Sequence, residues 1–159
     1  MAQKVKGRAT IRTAAVLFLA SAVFEIMEFN SAVALFGGVI TGAVSVVYHF
    51  VFAALYALSG IGMWTAKPWG YWAFMTTTVI YTIDKIQLIL FPQAFYDYIL
   101  QQLTVTREIA GMIPKEQLTQ YFMIAYIALL LCWWGFARYI YMRRQYFQEK
   151  TSKLITDSR

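Results

Sequence analysis

The chain has 159 residues, 60% of them hydrophobic; Lys and Arg outnumber Asp and Glu 14 to 8, giving a formal charge of +6, and the mean hydropathy is +0.53. That is more apolar surface than a water-soluble domain of this length can hide, so the composition excludes an ordinary soluble enzyme and points to a membrane. The basic residues form no separate domain, so no nucleic-acid partner is expected.

The first expected span, 12–32, follows the basic residues Lys4, Lys6, Arg8 and Arg12. AAVLFLA and the small residues Ala20, Ser21 and Ala22 imitate a secretory signal, but the apolar run continues past Ala22, which favours an uncleaved helix. Glu25 and Glu28 are three residues apart and share a helical face. The stretch SAVALFGGVITGAVS that follows has no charge and several glycines. It reads either as a re-entrant dip or as a loop at the membrane surface.

In the second span, 44–65, His49 belongs to a stripe of Ser45, Ala53, Tyr56 and Gly60, small and polar residues suited to helix contact. Pro68 can occupy the first turn of the third span, 69–91, so the two spans should form an antiparallel hairpin. The third span carries Thr77, Tyr81, Asp84 and Gln87 along one side. In the connection 92–118, Phe95, Ile99, Leu100 and Leu103 oppose Asp97, Gln101 and Gln102, the pattern of a helix lying in the interface.

Pro114 should open the fourth helix, with Glu116 favourable to its N-terminal dipole. That span is expected at 119–141, with a basic tail, 142–159, extending the helix into the cytoplasm. Cys132 is the one cysteine, so no disulfide framework exists. The fold expected is all-α, a single domain over 1–159 built as a four-helix transmembrane bundle. A closed barrel would need alternating strands of about ten residues, which the sequence lacks.

Basic residues concentrate in loops retained in the cytoplasm, so the bias places both termini inside. On this topology Trp64, Trp69, Trp72, Trp133 and Trp134 fall near the inner boundary. Trp64, Trp69, Trp133 and Trp134 are read with Arg143 and Arg144 as lipid anchors.

The same topology puts Glu25, Glu28, His49 and Asp84 in one outer layer, and charge at that depth is costly enough to need a reason. Neighbouring carboxylates resist being ionised together, which invites a proton, a metal or an organic cation between them. Two Glu, one Asp and one His would suit a divalent metal such as Zn, Mn or Fe. An organic cation would lie against Tyr48, Tyr56 and Tyr81. Lys85 is expected to snorkel outward or to pair with Glu28.

The expected function is binding of a metal ion, proton or cationic ligand in transport, sensing or a membrane complex, with the lipid bilayer as surroundings. The narrow interior of a single bundle implies a homo-oligomer or a larger assembly. Two alternatives stand beside it. One is an intramembrane enzyme using carboxylate acid–base chemistry on a lipid-like substrate; the other is a purely structural accessory subunit whose polar groups lock helices together. The sequence holds no phosphate-cradling loop, Ser-His-Asp order, Cys-x-x-Cys or His-Glu-x-x-His signature.

Overall fold

A computed structural model describes residues 7–102 and 114–147. In chain order these form α1 (Arg8–Met27), β1 (Val33–Leu35), β2 (Gly38–Ile40), α2 (Ala43–Thr65), α3 (Pro68–Leu90), α4 (Pro92–Gln102), α5 (Lys115–Met142) and a 3-10 turn (Arg144–Phe147). By length and composition α1, α2 and α5 can each cross a membrane, and α3 qualifies together with α4, from which it is bent by 98°.

α1 packs along α2 and α2 along α3, while α5 rests chiefly on α3. The α2–α3 hairpin closes on glycine. Gly62 and Gly70 meet backbone to backbone, and a Cβ added to either would overlap the other. At Gly60 a Cβ would stand 2.9 Å from the Ala15 carbonyl oxygen, so α1 also approaches α2 through a missing side chain.

Moving away from the turn, Ser59 Oγ lies 2.8 Å from Thr77 Oγ1, and the Tyr48 hydroxyl donates to Asp84 Oδ1 at 3.0 Å. Phe18 of α1 ties the long helices together. Its ring lies 5.9 Å from Tyr56 on α2, 5.7 Å from Phe74 on α3 and 5.3 Å from Trp133 on α5.

Burial departs from the usual pattern of a soluble domain, since polar groups join the apolar core while many large apolar side chains face outward. Ser45, His49, Ser59, Thr77, Thr78, Asp84 and Gln87 are buried, while Leu17, Phe24, Phe50, Ile83, Ile124 and Leu131 are exposed. The stripes expected on α2 and α3 therefore do face inward.

Several expectations are corrected. The first helix ends at Met27 rather than 32, because the chain turns after Glu28, with Ser31 N–H donating to the Glu28 carbonyl at 2.7 Å. The stretch that follows is neither a re-entrant dip nor a plain loop. It is an antiparallel hairpin pairing Val33 with Ile40 and Leu35 with Gly38. Its two-residue turn has positive φ at both Phe36 (47°) and Gly37 (87°), the conformation that lets a tight hairpin follow the strand twist.

The fourth helix starts at Lys115, right after Pro114, and runs to Met142. Beyond it the chain does not extend straight as a helix. It folds back through the 3-10 turn, where the Tyr146 hydroxyl donates to the Met63 carbonyl at 3.1 Å. α4 has the expected inward face, with Phe95 and Ile99 buried. Leu103, Arg107, Glu108 and the tail from 148 onward lie outside the described residues.

Trp133 and Trp134 are not at a helix end. They stand about 12 Å or more from the C-terminus of α5 by helical rise, and their indole N–H groups donate to Thr78 and Thr82, each at 3.1 Å. Two hydroxyls of α3 thus tie α5 to α3 through its indoles.

Alanine at Gly62 or Gly70 should destabilise the protein by about 2 kcal/mol through forced separation of α2 and α3. At Gly135, where an added Cβ meets nothing within 4 Å, it should cost nothing. Thermal unfolding of the purified variants in detergent checks the contrast.

Candidate functional site

The described acidic groups lie toward the end of the bundle where α1 finishes and α2 begins. Glu25, two residues before the end of α1, and His49, in the second turn of α2, meet there with Glu25 Oε2 2.7 Å from His49 Nδ1. The other ring nitrogen lies 3.4 Å from the Ser31 carbonyl oxygen, which also accepts from the Ser45 hydroxyl. Both imidazole nitrogens thus face oxygen acceptors, so the ring can carry a proton on either or on both. His49 is 6% exposed through its side chain and Glu25 23%, so the pair is sheltered on one side and reachable on the other.

A pocket of about 70 Å³ opens beside this pair, lined by Glu25, Glu28, His49, Tyr48, Lys85 and Tyr98 with Val33, Ala34 and Leu88. α1, α2, α3 and α4 each contribute, and β1 forms one wall. Glu28 follows the last residue of α1 and is exposed. Tyr98 comes from α4.

Asp84 lies behind this wall and is internally satisfied. Its Oδ1 accepts from Tyr48 at 3.0 Å and from Gln87 Nε2 at 3.2 Å. Its Oδ2 lies 2.8 Å from the Lys85 ammonium, paired by charge rather than by a well-aligned hydrogen bond. Lys85 also sits over the rings of Tyr81 at 5.2 Å and Tyr126 at 5.6 Å. The expected outward snorkel or pairing with Glu28 is replaced by this neighbour-to-neighbour ion pair, because an ammonium between two ring faces and a carboxylate needs no water.

This arrangement redistributes the anticipated site. Among the described residues no three His, Cys, Asp or Glu side chains gather in a way that could hold a metal ion. The Zn, Mn or Fe ligand set of Glu25, Glu28, His49 and Asp84 is therefore not assembled: Glu25 and His49 occupy each other, and Asp84 has its own cation. The tyrosines separate as well. Tyr48 lines the pocket, Tyr56 is buried in the aromatic core, and Tyr81 stacks on Trp133 at 4.2 Å. Lys85 already fills the cation position over Tyr81.

Gln87 and Ser31 enter the site in roles that the helix stripes do not disclose. The Gln87 carbonyl accepts from Phe36 N–H at 2.7 Å, and its amide donates to the Ala34 carbonyl at 3.1 Å as well as to Asp84. One side chain thus binds the hairpin backbone on both polarities and joins it to the buried carboxylate. Tyr98 was missed as well, although its position three residues after Phe95 on the inward side of α4 is a signal that could have found it.

Comparison with protein-family models, curated proteins and solved structures finds no match to this chain.

Replacing Gln87 with Leu keeps the bulk and removes both backbone contacts of the hairpin. Amide hydrogen exchange across Val33–Ile40 should speed up by about tenfold or more, the equivalent of one to two net hydrogen bonds. Unchanged protection would mean that the hairpin holds itself in place.

Proposed function

We propose that this chain is an integral membrane protein of four spans with both termini in the cytoplasm, and that Glu25 and His49 form a proton-exchange site facing the other side. The observation that carries this reading is the 2.7 Å carboxylate–imidazole pair on the wall of the small pocket. A proton arriving through water can be held by either partner and passed along the ring to the Ser31 side. Transport, sensing or service in a larger membrane complex would all use such an exchange.

Pocket size separates this reading from its rivals. A volume of about 70 Å³ holds a few waters or one small cation, whereas a lipid-like substrate for an intramembrane enzyme needs several times more. The Asp84–Lys85–Tyr48–Gln87 network supports a second, structural reading for that part of the cluster alone, because each member is bonded to another helix, to the hairpin or to its neighbour. α5 exposes apolar side chains along its length, which suits packing against lipid, a second copy or another membrane subunit.

His49 is the one histidine in the chain, so nitrogen NMR of histidine-labelled protein in vesicles reads this ring without overlap. Its two nitrogen signals report which ring nitrogen carries a proton and which accepts. Glu25→Gln should move the Nδ1 signal, because the ring loses its charged acceptor. Ring nitrogen signals that ignore Glu25→Gln would refute proton exchange at this pair. Proton flux into dye-loaded vesicles, compared between the two proteins, distinguishes transport from sensing.

A further inference from the structure

A second cavity lies at the opposite end of the bundle. It measures about 430 Å³, within the range of small-molecule sites. Tyr71 and Trp72 come from the first turns of α3, Tyr141 from the last turn of α5, and Arg144 and Phe147 from the 3-10 turn that folds back beneath them.

The fold-back builds the cavity. Tyr146 fixes the turn by its bond to the Met63 carbonyl, and the Phe147 ring stands 6.0 Å from that of Tyr71. This leaves the Arg144 guanidinium exposed on the cavity wall, 5.6 Å from the Tyr141 ring centroid.

Charge identifies the kind of ligand. Among the described residues no carboxylate lines the cavity. Among the described residues the acidic groups Glu25, Glu28, Asp84, Asp97 and Glu116 belong to the far end of the molecule, whereas Arg8, Arg12, Lys67, Arg138, Arg143 and Arg144 gather at this one. The described ion pairs are Glu25–His49 and Asp84–Lys85, so Arg144 is not neutralised by either. A guanidinium presents parallel donors that match two oxygens of one phosphate group. Tyrosine and tryptophan rings beside it suit the level where headgroup gives way to acyl chain.

We infer that this cavity binds the headgroup of an anionic phospholipid, with Arg144 pairing the phosphate and Tyr71, Trp72 and Phe147 lying along the glycerol and the first acyl carbons. The inference rests on the reading that the long helices cross a bilayer. Alkaline extraction of membranes tests that reading separately, so a failure of either is distinguishable from a failure of the other.

Native mass spectrometry of the full chain, released from micelles doped with phosphatidylglycerol or phosphatidylcholine, tests the site. The chain should retain one phosphatidylglycerol in preference to phosphatidylcholine. Arg144→Gln should weaken retention by about tenfold, the scale of one bidentate charged pair. Arg138→Gln removes the same charge from α5 outside the cavity lining and should leave retention unchanged. Trp72→Ala, which keeps the charge and removes a wall, should also weaken it.

Equal losses in Arg144→Gln and Arg138→Gln would overturn the site in favour of general surface charge. Equal retention of the two lipids would do the same, as would a Trp72→Ala variant that binds normally. Displacement of phosphatidylglycerol by inorganic phosphate would make this a free-anion site and overturn the lipid assignment.

Discussion

Backbone contact between Gly62 and Gly70 sets the register of α2 against α3, and the polar pairs above it follow from that register. With the helices antiparallel and almost touching at the turn, Ser59 comes opposite Thr77, and further along Tyr48 reaches Asp84. Each such hydrogen bond contributes only about 1 kcal/mol. They cannot themselves force the helices together; the absent side chains allow the approach, and the hydrogen bonds then make one register better than its neighbours.

The same closeness decides what becomes of the ionisable groups. A carboxylate with little water around it must find a partner within the protein, and the two inner carboxylates do so differently. Asp84 is enclosed by Tyr48, Gln87 and Lys85, so its charge is balanced without any visitor. Glu25 meets a group whose charge is variable, His49, on a wall still open to the pocket. On the proposed reading, proton exchange belongs to the second pair and rigidity to the first. Gln87 joins the two levels, since the side chain that supports Asp84 also holds the hairpin whose β1 strand walls the pocket.

The two ends of the molecule are built from different materials. One end is small in volume, acidic and capped by the hairpin; the other is wider, aromatic and basic, closed by a turn of chain folded back from α5. Between them the interior is filled by Phe18, Tyr56, Phe74 and Trp133, with the Ser59–Thr77 pair and the Trp133–Thr78 hydrogen bond set among the rings.

Sequence alone determined the long helices and their inward faces, because apolar run length, the Pro68 and Pro114 starts and helical spacing are local properties. It also singled out Glu25, His49 and Asp84, since charge inside an apolar run stands out whatever the fold. Which partner each one takes was decided by tertiary structure. His49 could have met Asp84, and Lys85 could have met Glu28; the choice depends on how α1, α2 and α3 are rotated against one another, which no spacing rule encodes. The hairpin at Val33–Ile40 was hidden because Phe36-Gly37 is not a customary turn pair and its strands are three residues each. Trp133 and Trp134 likewise take partners that no local pattern names: two threonines on α3 accept their indole N–H groups, and only the packing of α5 against α3 brings them within reach.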